Sequence, residues 1–171
     1  MPITSKVKVT RGKLDPFAQD VLRELSKRVL IGIPGDEART PEPGQPNPPN
    51  NAVLGYVLET GAPERNLPAR PFLTPGVEAI RDKAIARLAK AAAAAFSGDL
   101  SAPEKALTAI GIEGVAAVQG KMQDGPFAPL SQRTLDARKA RGVTRESPLI
   151  DTGQLRNSVK AIVTSGNGEG R

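Results

Sequence analysis

Few residues in this chain have the types and spacing that could do chemistry. Its 171 residues include no histidine and no cysteine. Those absences remove the commonest general base, the commonest metal ligand, the thiolate nucleophile and any disulfide. What remains is Asp151-Thr-Gly153, a tripeptide that aspartic proteases build around a catalytic carboxylate. Such chemistry needs two carboxylates sharing one proton, so a second copy of the chain would have to supply the partner aspartate. The local pattern points elsewhere. Gln154 follows Asp151 by three residues, the spacing of a helix N-cap whose carboxylate accepts backbone N–H bonds. No phosphate-cradling loop is present either, because Ile33-Pro-Gly35 lacks the required glycine and lysine spacing. The expectation is therefore no catalytic residues, no metal site, no cofactor and no enzymatic activity.

The other conspicuous group is Arg70, within Leu67-Pro-Ala-Arg-Pro-Phe-Leu73. Two prolines three apart hold this segment extended, and Phe72 and Leu73 are expected to anchor it in the core. A guanidinium fixed between rigid positions presents its fork at a defined place, to bridge carboxylates within the subunit or across an interface. Arg70, Pro71 and Phe72, with Asp151, Gly153 and Leu155, read as structural or interface joints, where an extended segment, a turn and a helix meet in one geometry.

The elements that must position these joints follow from periodicity. Residues 5–10 alternate polar and apolar, as a half-buried strand does. Asp15-Pro16 is an N-cap and first helical position, opening a helix to about Lys27 with Phe17, Val21 and Leu25 on one face. Val29–Ile33 reads as a buried strand. Residues 34–51 hold six prolines, two glycines and three asparagines, so they read as a loop. That loop is either mobile surface or an arm ordered against a neighbouring subunit. A helix over 52–59 follows, capped by Asn51, with Val53, Leu54, Val57 and Leu58 inward. Thr74-Pro75 then starts a helix to about Phe96, with Val77, Ile80, Ala84, Leu88, Ala91 and Ala95 on one face. Ser101-Ala-Pro-Glu104 forms a capping box for a second long helix with Leu107, Ile110, Gly114, Val118 and Met122 along one side. Gly111, Gly114 and Gly120 inside it imply close backbone approach, by the alanine-rich helix or a neighbouring subunit. Ser131 caps a polar helix over 132–141, ended by Gly142. A short helix carries Leu155, a closing strand carries Val159, Ile162 and Val163, and residues 165–171 form a tail.

Composition narrows the class further. The length suits one domain with a real core, yet only 3% of residues are aromatic. The fold expected is α+β, with a small antiparallel or mixed sheet packed on two longer helices and several short ones. One domain spans residues 1–164, with a basic arm or strand at 1–14. The net charge is +6, concentrated at the ends: residues 1–14 carry +4 and residues 131–171 carry +4, against −2 between them. Basic ends fit solvated termini, or a nucleic-acid-binding protein acting through its charged termini. Only four phenylalanines and one tyrosine are available for base stacking. No apolar run reaches membrane-spanning length, and a soluble protein of a reducing cytoplasm is expected.

Five segments together carry a resemblance: Val29–Gly35, Leu54–Gly61, Leu67–Leu73, Ala128–Ser131 and Pro148–Ser158. They are similar to the virion-morphogenesis, tail-completion and neck proteins of long-tailed bacteriophages, over roughly residues 29–164. In many of those relatives the Asp-Thr-Gly segment precedes the Pro-Ala-Arg-Pro-Phe segment. Here it follows, which implies that the strand near 159–164 pairs beside 29–33. The resemblance implies a structural protein of the virion neck, assembled in the bacterial host cytoplasm as a six-fold or twelve-fold homo-oligomeric ring. Its implied neighbours are the connector or head-closure protein and the tail-terminator or tail-tube proteins, with non-specific contact to DNA in the channel and none with a membrane.

Overall fold

The computed structural model describes residues 15–36, 39–41 and 48–166. The alternating segment 5–10, the basic arm 1–14, the middle of the proline-rich loop and the last five residues lie outside the described part. Within it the chain is α+β. Helix α1 (Pro16–Leu25) leads to strand β1 (Arg28–Gly32), then α2 (Asn51–Thr60), a 3-10 turn (Pro63–Arg65), α3 (Leu73–Glu78), α4 (Arg81–Phe96), α5 (Ala102–Asp124), α6 (Gln132–Ala140), α7 (Gln154–Asn157) and strand β2 (Lys160–Thr164). The two strands pair antiparallel, with Leu30 opposite Ile162 and Val29 opposite Val163. The terminal strand thus lies beside the first, in the position the permuted motif order implies.

Helix α5 is the spine. It packs against α3, α4, α1 and both strands. Its expected apolar face is the buried one: Leu107, Ile110, Gly114, Val118 and Met122 are all inside. Val118 and Met122 join Phe72, Leu149, Leu155 and Val159 in the main core cluster. Phe72 is therefore the anchor its motif predicts, seated between elements more than 40 residues away in sequence.

The glycines of α5 show what approaches its backbone. A Cβ on Gly111 would stand 2.8 Å from the Ala161 Cβ, and one on Gly114 would collide with the Ile31 side chain. At Gly111 and Gly114 the close neighbour is thus the two-stranded sheet rather than the alanine-rich helix. Gly120 faces nothing within 4 Å. A close helix crossing lies elsewhere, where a Cβ on Gly76 of α3 would lie 2.7 Å from the Val118 Cα.

Several expectations need correction. The helix expected over 74–96 is two helices, with a turn at Ala79 and Ile80. Its apolar spacing runs unbroken through that turn, so the break is tertiary: α3 is held to α5 at Gly76, and Ile80 reaches the Gly114 site. Helix α2 is capped by Asn50, whose side chain accepts from the Val53 N–H at 2.8 Å, while Asn51 is buried inside the first turn. Val53 points outward rather than inward. Ser101 makes no capping bond. Its N–H and hydroxyl both donate to Asp99 Oδ1, and Glu104 instead accepts from Lys27 of the α1–β1 turn at 2.6 Å. Strand β1 is only half buried, because one face lies on α5 and the other carries Leu30, 54% exposed.

These contacts order the glycine substitutions. Gly76→Ala should destabilise the protein by about 1–3 kcal/mol, through overpacking against backbone that has no room to move. Gly120→Ala should stabilise it by up to about 1 kcal/mol through helix propensity alone. Urea midpoints of the two variants check this; the reverse order would contradict the α3–α5 crossing.

Candidate functional site

Arg70 is held by an extended strap that α2 feeds. After α2 the chain turns at Gly61, with φ 77°. A side chain there would strike the Ala69 backbone N at 2.7 Å, so glycine is required both for its conformation and for its lack of bulk. Ala62 and Leu67 exchange backbone hydrogen bonds of 2.9 and 3.1 Å, and the Arg70 N–H donates to the Leu58 carbonyl at 2.7 Å. The strap is thus laid back along the end of α2.

Glu59 fixes its far end. This carboxylate accepts the N–H groups of Phe72 (2.7 Å), Leu73 (2.9 Å) and Thr74 (2.9 Å). Those are the orphan donors at the start of α3, which has no capping side chain of its own. Partial burial pushes the Glu59 pKa up, but the N–H groups of Leu73, Thr74 and Phe72 outweigh it and hold the carboxyl below the ordinary glutamate value.

Among the described residues the Arg70 side chain meets no carboxylate, so the bridge within the subunit, one of its two expected roles, does not form there. Its Nε donates to the Ala128 carbonyl at 3.1 Å and Nη2 to the Pro129 carbonyl at 3.3 Å. It is only 4% exposed. Burial lowers its pKa from the usual guanidinium value. The reason is local: residues 125–131 form no regular structure, so their carbonyls need donors from elsewhere.

The second joint works the same way. Asp151 does not cap α7; the cap position is Gly153, left-handed at φ 90°, and no side-chain cap bond forms. Asp151 instead accepts from Arg141 Nη2 at 2.7 Å and lies 3.7 Å from Arg138 Nε. Arg138, 5% exposed, donates to the carbonyls of Arg145, Ser147, Ile150 and Pro148. The carboxylate is thus held by two guanidinium groups, whereas the protease arrangement needs a second carboxylate. Gln154, expected as the partner of the cap, clasps the loop instead. Its side chain accepts from the Thr40 N–H at 3.0 Å and donates to the Thr40 carbonyl at 3.3 Å. Leu155 is buried beneath it.

These joints meet. Arg70, Asp151, Gly153 and Leu155, from segments about 80 positions apart, line one cleft of about 650 Å³. Phe72 lies under it in the core cluster, and Pro71 is exposed outside. Leucines and prolines form most of its apolar wall, with Ser131 and Thr134 at the start of α6. Sequence reasoning missed Glu59 and Arg138. Arg138 had a legible signal: it lies three residues after Leu135, so it shares the inward face of an otherwise polar helix. Glu59 had none, because its partners are backbone groups 13–15 residues away. Among the described residues no group of three or more acidic, histidine or cysteine side chains is placed to hold a metal, and no helix is long and apolar enough to cross a membrane.

Glu59→Gln should destabilise the protein by about 1–3 kcal/mol at neutral pH, since an amide replaces one acceptor with a donor facing N–H groups. A lowered folded pKa contributes stability above the unfolded value, about 4.3, and loses it as pH falls through the folded value. The stability gap between wild type and Glu59→Gln should therefore close on acidification. Urea midpoints across pH check this, and a gap independent of pH would refute the bonding assigned to Glu59. Asp151→Asn should cost about 1–3 kcal/mol, because the ion pairs with Arg138 and Arg141 lose their negative partner; an unchanged midpoint would show that the pairs contribute nothing. No protein-family model, no curated protein and no solved structure matches this chain.

Proposed function

We propose that this chain is a structural virion protein, forming a ring at the head–tail junction of a long-tailed bacteriophage so that head and tail can join. The observation that carries the reading is the convergence of its two most distinctive segments on one cleft. Their charged residues there hold backbone geometry and are not arranged as a proton-transfer pair. A protein that works by shape needs such joints, because subunit contacts transmit only if the contacting segments are held rigidly.

The surface is compatible with assembly. Leu30 and Ile162 are cross-strand partners on the outer sheet face, 54% and 56% exposed. Tyr56, Phe96 and Ile112 are exposed as well. A two-stranded sheet is marginal alone, and ring contacts bury apolar surface that a monomer leaves in water. Under this reading the chain forms a homo-oligomer between head-closure and tail-terminator layers, in the virion neck.

Electron microscopy of lysates from a phage lacking this gene tests the proposal. Filled heads lying apart from finished tails are the expected outcome, with joining restored by the wild-type chain and impaired with Arg70→Ala. Intact infectious particles from the deletion would overturn the neck role.

A further inference from the structure

We propose that the cleft beside Arg70 is a docking site for an apolar, carboxylate-bearing segment of a neighbouring polypeptide, with the Arg70 guanidinium receiving the carboxylate. The charge account leads there. Arg70 is buried, and its two described partners are neutral carbonyls. Among the described residues its Nη1 donates to no protein group and no carboxylate lies within ion-pairing distance of it. Removing a guanidinium from water is costly unless an anion compensates it. Two carbonyls satisfy hydrogen bonds without supplying the missing charge.

The acid in the described lining, Asp151, is already held by Arg141 and Arg138. The Arg70 charge therefore faces a leucine- and proline-rich wall in which no described carboxylate is left to meet it. A planar fork in such a wall suits a carboxylate flanked by apolar groups, received in bidentate fashion. The walls contain no aromatic ring, so they offer no stacking platform for bases. That favours a polypeptide over a nucleic acid. The volume, about 650 Å³, lies within the range of about 300–1,000 Å³ that pockets use to enclose small ligands.

That the neighbour is another virion subunit rests on the neck reading; the charge imbalance does not. The test is accordingly made on the purified full chain. A bead-displayed random peptide library is panned against it, and the enriched peptides are resynthesised with each acid replaced by its amide. The expected result is enrichment of Asp or Glu beside apolar residues, with affinity falling about tenfold or more on the acid-to-amide change. Arg70→Lys should weaken binding similarly, because it keeps charge but loses the fork. Thr134→Glu places a competing carboxylate at the cleft and should also weaken binding. It is expected to fold, since Ser131 and a glutamate three residues later make a capping box. No enrichment, peptides that bind equally as amides, or equal binding by both variants would overturn the proposal. Displacement of the peptides by single-stranded oligonucleotide with greater potency than by their own acidic parents would assign the cleft to nucleic acid instead. Head–tail joining in the deletion phage reads the neck role separately, so each idea can fail alone.

Discussion

Backbone polar groups in the long non-helical stretches impose the constraint on which the rest of this structure depends. Segments 61–72 and 125–153 cross the interior edge of the molecule with little regular structure beyond α6 and one 3-10 turn. Their buried carbonyls and N–H groups must still find partners. Three charged side chains supply them: Glu59 collects three N–H groups, Arg70 two carbonyls and Arg138 four. Each is a hydrogen bond to an ionised group, the stronger class. They define the strap and the cleft as rigid objects although neither contains a strand ladder.

A chain so poor in aromatic residues has a second reason to rely on such bonds. Phe72 is the one aromatic side chain fully inside the core cluster, where aliphatic residues provide the remaining buried volume. Small side chains allow close backbone approach, which α5 exploits at Gly111 and Gly114 against the strands and at Val118 against Gly76. Close approach gives dense packing without large groups. It also leaves little apolar area to fix loops at the periphery, and charged side chains bonded to backbone take over there.

The two arrangements meet in the cleft. Its floor is the apolar cluster under Leu155, and its rim is the set of buried arginines that order the surrounding loops. The same guanidinium that straightens residues 128–129 leaves a positive charge facing the cleft. The proposed partner-receiving role thus falls on the residue that also holds the loop, Arg70. A geometric joint and an interface anchor are compatible roles for one side chain. Gln154 ties Thr40 to the same rim, so the proline-rich loop is fixed at that point.

Much of this was legible in the sequence. The pairing of the last strand with the first was implied by the resemblance and its motif order, whereas the N-cap at Asp15, the buried face of α5 and the capped polar helix after Ser131 follow from spacing and residue type. These are local or periodic properties, and a single chain displays them directly. The break between α3 and α4, the true cap at Asn50, the bonding of Ser101 to Asp99, the sheet as neighbour of the α5 glycines and the partners of Arg70 and Asp151 were not legible. Each depends on which distant group arrives within hydrogen-bond or van der Waals distance. A carboxylate at position 59 and N–H groups at 72–74 carry no shared period. Their meeting was decided only by the tertiary path, because buried polar groups accept whichever partner packing brings within reach.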